Sequence, residues 1–143
     1  MVTLFYTPKK GDIVVCHDKA SGHQAPIVKR IIATEGDTIE IRINKDAPQD
    51  KKERFTVLVN DEPLTEDYVF VDGLVLANGW EEYPGLEKTT VPDGMLFVMG
   101  DHRNNSSDSR DIRDGSPNFI REDSVLGKVI LRFYPFSEFG TVD

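Results

Sequence analysis

Two stretches of the chain gather side chains that can carry chemistry. In the first, Pro26-Ile27-Val28-Lys29-Arg30-Ile31-Ile32-Ala33, two cations interrupt an apolar run rich in β-branched residues. Such a run predicts a strand, and along a strand successive side chains face opposite sides. Lys29 therefore shares a face with Ile27 and Ile31, and Arg30 shares the other with Val28 and Ile32. If the isoleucine face is buried, Lys29 is a partly buried ammonium. Burial disfavours its charged form, and a neutral lysine amine is a general base that can take a proton from a serine hydroxyl. If the strand lies at an edge, the lysine stem instead runs over apolar surface and its head stays in water. Alternation alone leaves both readings open.

The second stretch, residues 100–110, reads Gly-Asp-His-Arg-Asn-Asn-Ser-Ser-Asp-Ser-Arg and follows the apolar run Met95-Leu96-Phe97-Val98-Met99. It contains no aliphatic side chain. Asp accepts hydrogen bonds, Arg donates them in a fork and Ser does both, so the run can close on itself as a network. A polar turn after a strand is the plainer reading. Within a network, Ser106 can hydrogen-bond an amine and orient it, and Asp108 and Arg110 can form a charge-assisted pair that fixes the loop. Serines set among charged groups suit such a support better than they suit an exposed nucleophile.

The elements that must position these groups are strands. Residues 12–16, 26–33, 38–43, 55–59, 68–71, 96–99 and 125–134 carry β-branched or alternating patterns. Residues 60–63 form a turn, 46–54 a polar loop and 73–90 a long irregular connection. The short helical candidate spans 119–124. Strands at short spacing with turns between them predict a mostly β fold. Residues 40–91 are more polar and loop-rich, which predicts an inserted cap region between a core built from 1–39 and 92–143. Trp80, Tyr83 and Leu86 in the long connection read as a small satellite core rather than an exposed membrane-contacting cluster.

Composition narrows the function. At 143 residues with a net charge of −8, one domain is expected, and no basic face is present for nucleic acid. Lys51, Lys52 and Arg54 are interleaved with acids and read as a solvated loop. Cys16 stands alone, so no internal disulfide is possible, and it reads as a core residue. His17, His23 and His102 are too scattered for metal-ligand spacing, so neither a metal nor another cofactor is expected. No apolar run approaches the ~18 residues needed to span a bilayer, and no secretory signal peptide opens the chain.

Three blocks resemble the bacterial type I signal peptidases, a membrane-bound Ser-Lys endopeptidase family. Gly11-Asp12-Ile13-Val14-Val15 is similar to the family's GDIVVF strand, with Cys16 at the Phe position. Residues 28–37, Val-Lys-Arg-Ile-Ile-Ala-Thr-Glu-Gly-Asp, are similar to its VKRVIGLPGD block. Residues 100–110 are similar to its GDNRxxSxDSR block, with His102 at the usual Asn. The order and spacing hold over nearly the whole chain. The resemblance implies a coiled β-sheet fold with a cap insertion. It implies that Lys29 is the general base, that Ser106 orients it, and that Asp108 and Arg110 form a salt bridge beneath the site. It assigns Asp101 and Arg103 structural roles, and Ile27 and Val28 a strand that pairs with the extended substrate. The implied substrates are secretory preproteins, cleaved after small residues at the extracytoplasmic side of the cell membrane.

One family feature is absent from these residues. The nucleophile of the family lies in a Ser-Met-x-Pro-Thr-like block upstream of the GDIVVF strand, and no Ser-Met pair occurs in the chain. The expectation is that both the catalytic serine and an N-terminal membrane anchor precede Met1, and that the chain alone is inactive. Two other readings fit less well. A self-cleaving repressor-type Ser-Lys protease fits poorly with the acidic balance, and a non-catalytic assembly factor of the same fold has no need for Lys29, Ser106 and Asp108.

Overall fold

The structure, a computed structural model, describes residues 6–17, 25–48, 52–65, 83–101, 107–132 and 140–141. A five-stranded antiparallel sheet holds the two chemical stretches. Its strands are β1 (Ile13–Cys16), β2 (Ile27–Thr34), β7 (Met95–Met99), β10 (Ile120–Arg121) and β11 (Val125–Lys128), in the order β10-β7-β2-β1-β11. A four-stranded sheet follows β2 in the chain. It comprises β3 (Thr38–Ile43), β4 (Phe55–Val59), β5 (Glu62–Pro63) and β6 (Leu86–Thr90), in the order β5-β4-β3-β6. Two short pairs complete the described strands: β8 (Ile112–Arg113) with β9 (Ser116–Pro117), and β12 (Leu131–Arg132) with β13 (Gly140–Thr141).

The five-stranded sheet is buried on both faces, and two apolar clusters result. One joins the sheets: Ile32, Ala33, Phe97 and Met99 pack with Ile39, Ile41, Val57, Val59, Leu86 and Val91. The other covers the opposite face and consists of Val14, Cys16, Ile31, Leu96, Val98, Ile120 and Val125, with Tyr6 and Ile27 partly buried against it. A bulge in β2 makes this division possible. Ile31 pairs with Val98 but Ala33 pairs with Phe97, so Ile32 is the extra residue. Ile32 and Ala33 thus both turn toward the shared cluster, while Ile31 faces away.

Connections follow from local chemistry. Asn60 and Asp61 take left-handed backbone angles (φ 51° and 68°) in the hairpin from β4 to β5, as a tight two-residue turn requires. The Asn60 side chain also receives Thr38 N–H at 2.9 Å and donates to Asp37 at 2.8 Å. At Gly85 (φ 86°) a Cβ would lie 2.6 Å from the Ile41 carbonyl oxygen, so this glycine lets the chain close onto β3. Arg54 donates to the carbonyls of Asn44, Lys45 and Ala47.

Four strand expectations change. Residues 86–90, read as irregular, form β6, because pairing with β3 holds an edge strand whose polar residues face outward. Residues 60–63 are not all turn, since Glu62 and Pro63 pair with Val59 and Leu58. The strand read over 125–134 ends at Lys128 and resumes at Leu131. The helical candidate at 119–124 divides into β10, held by Ile120 opposite Leu96, and a single 3-10 turn over Glu122–Ser124. Tyr83 and Leu86 join the main core rather than a satellite, whereas Trp80 and the strand expected at 68–71 lie outside the described residues. Among the described residues, no helix is long and apolar enough to cross a membrane, which says nothing of strands.

Candidate active site

Lys29 sits in β2 directly opposite Val14, which is fully buried. Ile27 and Ile31, its neighbours on the same face, pack against the second cluster, so the isoleucine face is the buried one. Lys29 itself is half-buried at the margin of this face. Across the sheet, Val14 is also opposite Lys128 of β11, so Lys128, Val14 and Lys29 form one row on one face.

Among the described residues, the strand around Lys29 is paired on one side only. β1 pairs with residues 27–30 of β2, but β7 reaches only to Arg30, opposite Met99. Among the described pairings, no strand lies beside Ile27, Val28 and Lys29 on the β7 side. The Ile31 N–H donates to Asp12 O at 2.8 Å, toward β1. By the alternation of strand backbone, the N–H and C=O of Val28 point the other way, into the open edge. Val28 is also 57% exposed, unusual for a valine in the middle of a domain.

The polar loop is anchored on both sides of its centre. Asp101 receives Arg30 Nε at 2.9 Å and Arg30 Nη2 at 2.8 Å, a bidentate pair. Arg30 also donates to Gly11 O at 3.2 Å, and it is buried on the face opposite Lys29. On the other side, Asp108 and Arg110 form a second bidentate pair, with Nε and Nη2 each 2.8 Å from a carboxylate oxygen. Asp108 further accepts the backbone N–H of Gly100 at 3.0 Å and of Arg110 at 3.1 Å. Its side chain is 0% exposed. Burial alone would raise the pKa of Asp108, but the Arg110 charge and these four donors hold it below the ordinary carboxylate value.

Ser109 and Ser107 complete the network. Ser109 Oγ accepts Val98 N–H at 2.9 Å and its own N–H returns to Val98 O at 3.1 Å, so the loop runs back along β7. Ser107 donates to Asp111 at 2.7 Å. Tyr83, packed on the shared core, lies within the field of these groups. Burial pushes its phenol up to about 12, with Arg110 opposing and Asp108 and Asp111 adding.

The structure thus brings Lys29, Ile27, Val28, Asp101, Asp108 and Arg110 to one end of β2 and β7. Ser106 and Arg103 lie outside the described residues. Sequence reasoning missed Arg30 as the partner of Asp101. The available signal was its face: a cation sharing a side with Ile32 is buried and requires a carboxylate. A groove of about 610 Å³ lies elsewhere, lined by Tyr6, Pro8, Met95, Val125 and Leu126 among others, and includes none of the expected site residues. Among the described residues, no cluster of His, Cys, Asp or Glu could hold a metal ion.

Residues 1–134 match the protein family described as signal peptidase, peptidase S26. The chain is 39% identical over 132 residues to signal peptidase I U of Bacillus subtilis, covering 90% of the chain and 60% of that relative. It is 31% identical over 142 residues to the probable signal peptidase I-1 of a Synechocystis species, covering 95% and 60%. The chain therefore spans about 60% of the length of these curated relatives. Its fold is similar to the crystal structure of a signal peptidase I from Enterococcus faecalis (TM-score 0.55, 27% identity), over 86% of this chain and 97% of that one.

Proposed function

Since the chain belongs to the signal peptidase family S26, we propose that it is the part of a type I signal peptidase that carries the general base, working as a Ser-Lys endopeptidase on secretory preproteins. The observation that carries this reading is the position of Lys29. Lys29 is half-buried opposite Val14, on a stretch of β2 that among the described residues is unpaired on the β7 side and exposes Val28. An extended peptide adding to that edge would hydrogen-bond Val28 and run past the amine.

In the proposed reaction, the Lys29 amine takes the proton from a serine Oγ as that oxygen attacks the scissile carbonyl carbon. The ammonium then returns the proton to the leaving amine, and a second cycle with water releases the acyl group. Ser106 orients Lys29. Arg103 has a structural role in the loop, whose two sides Asp101 and Asp108 tie down. The attacking serine belongs to a Ser-Met-x-Pro-Thr-like block that these 143 residues do not contain. Residues 40–91 are read as an inserted cap on the core. The proposed location is the extracytoplasmic side of the cell membrane, with an anchor upstream of the chain and no nucleic-acid partner.

The test joins the chain to a segment bearing the Ser-Met-x-Pro-Thr block and measures cleavage of a preprotein. Lys29→Ala is expected to lower kcat by about 10²–10⁴, the range for loss of a positioned base. The 143-residue chain alone is expected to show no turnover. Equal cleavage with and without the amine would sink the assignment.

A further inference from the structure

The groove of about 610 Å³, apart from the Lys29 stretch, lies at a seam of the five-stranded sheet. β10 and β11 stand at the two ends of the strand order, and among the described residues no strand pairs with the outer edge of either. They are nonetheless consecutive in the chain, joined by the 3-10 turn Glu122–Ser124. Both line the groove, β10 through Arg121 and β11 through Val125 and Leu126, so the curled sheet brings its two edges to one cleft. An unpaired edge offers backbone N–H and C=O groups to a further extended chain. β11 is also bulged at this point: Cys16 pairs with Val125 and Val15 with Gly127, which leaves Leu126 as the extra residue.

The lining of the groove has two parts. Tyr6, Pro8, Met95, Val125 and Leu126 are apolar, and Asp93, Arg121, Glu122 and Asp123 are charged. Arg121 is already engaged, because the Asp123 carboxylate receives its Nε at 3.1 Å and its Nη2 at 2.6 Å. The charge left over is that of Asp93 and Glu122. Backbone groups tie their two turns together: Glu122 N–H donates to Gly94 O at 2.8 Å, and Gly94 N–H donates to the Glu35 carboxylate at 2.9 Å. The turns that carry the two acids are thus fixed before a partner arrives, which lowers the ordering cost of binding.

We propose that this cleft is a docking groove for an extended peptide in which Lys or Arg alternates with apolar residues. The apolar side chains pack on the apolar lining, the cations meet Asp93 and Glu122, and the backbone runs along the open edge of β10 or β11. Alternation along an extended chain separates the two kinds of side chain, as the two parts of the lining require. The volume lies within the ~300–1,000 Å³ of ligand clefts. An anionic lipid surface or a nucleic acid would set phosphate against the two carboxylates, and a second copy would bring a net charge of −8 to an acidic cleft. The groove includes none of the residues placed in the Ser-Lys site, so the inference stands apart from that reading.

The probe is the peptide Gly-Lys-Val-Lys-Leu-Lys-Gly, capped at both ends and titrated into the isotope-labelled 143-residue chain while amide resonances are followed. Saturable shifts are expected at Gly94, Met95, Glu122 and Val125. The same peptide with Glu for every Lys should not bind, and one with Ser for Val and Leu should bind more weakly. Asp93→Asn and Glu122→Gln should each weaken binding roughly 1.5- to 5-fold, the range of an exposed ion pair, while the melting temperature holds. Raising salt from ~0.1 M to ~1 M, which shortens the screening length from ~10 Å to ~3 Å, should weaken it as well. Absence of saturable shifts at the groove overturns the proposal, as does equal binding of the Glu peptide or unchanged affinity in both variants. Shifts confined to Ile27 and Val28 place the peptide on the β2 edge and overturn it too. Without a response to peptide, shifts that follow protein concentration assign the groove to a second copy, shifts with phosphatidylglycerol vesicles to a lipid surface, and shifts on deletion of residues 1–5 to the chain itself; each of these also overturns the proposal.

Discussion

Replacing Asp108 with Asn tests the support beneath the site most directly. The carboxylate is 0% exposed and accepts four hydrogen bonds, two from the Arg110 guanidinium and one each from the backbone N–H of Gly100 and Arg110. An asparagine keeps one acceptor oxygen and replaces the other with an NH₂ donor. Each carboxylate oxygen faces a guanidinium nitrogen and a backbone N–H, so either orientation of the amide sets a donor against two donors. The buried guanidinium, only 4% exposed, also loses its counter-charge. Breaking a buried pair by removing one partner costs about 3–5 kcal/mol. With an unfolding entropy of roughly 2.1 cal/mol/K per residue, a chain of this length changes by about 0.3 kcal/mol per degree. The melting temperature is therefore expected to fall by about 10–17 °C. Circular dichroism melts and urea titrations at pH 7 supply the measurement. Adding Arg110→Met should recover part of the loss, because the buried cation that has lost the carboxylate is then gone. A loss below about 1 kcal/mol, the value of an exposed pair, would refute the assignment of Asp108 as a buried ionic support.

Acid should weaken the fold through the same group. Asp108, Asp37 and Asp12 all have folded pKa values below the ordinary 3.8. A depressed carboxylate contributes stability that is fully present above its unfolded pKa and is lost as pH falls through the folded one. The urea midpoint should hold steady from neutral pH to about 5 and drop below about 4, with a shallower drop in Asp108→Asn; a midpoint that rises on acidification would contradict the three assignments. Two glycines separate conformational cost from steric cost. Gly36 and Gly85 both have positive φ, but an added Cβ meets nothing within 4 Å at Gly36 and lies 2.6 Å from the Ile41 carbonyl at Gly85. Gly36→Ala should cost about 1–2 kcal/mol for the left-handed backbone alone, and Gly85→Ala measurably more; equal losses in denaturant unfolding would show that the close approach to β3 carries no weight.

What was legible in the sequence depended on range. The face of Lys29 could be read because alternation needs only Ile27 to Ile31, and Ile27 and Ile31 do pack inward. The same rule fails at Ala33, because the bulge at Ile32 turns two successive residues toward one cluster, and Ile-Ile-Ala carries no mark of a bulge. Asp108 and Arg110, two residues apart, could be paired on paper; Arg30 and Asp101, separated by 71 positions, could not, although a cation on the Ile32 face demanded some carboxylate. The β6 strand escaped notice because an edge strand needs apolar contact at few positions, here Leu86.

These ranges bear on how the loop is held. Arg30 and Lys29 are adjacent in sequence and opposite in facing, so the strand that presents the amine on one face grips the start of the loop through the other. Asp108 grips the far side through Gly100 and Arg110. A strand that leaves one cation half-exposed and buries the next is costly unless the buried one is paired. The pairing partner, Asp101, is the second residue of the 100–110 loop proposed to support the amine. A change at Arg30 therefore cannot be confined to packing, since it releases the loop at the point nearest the proposed base.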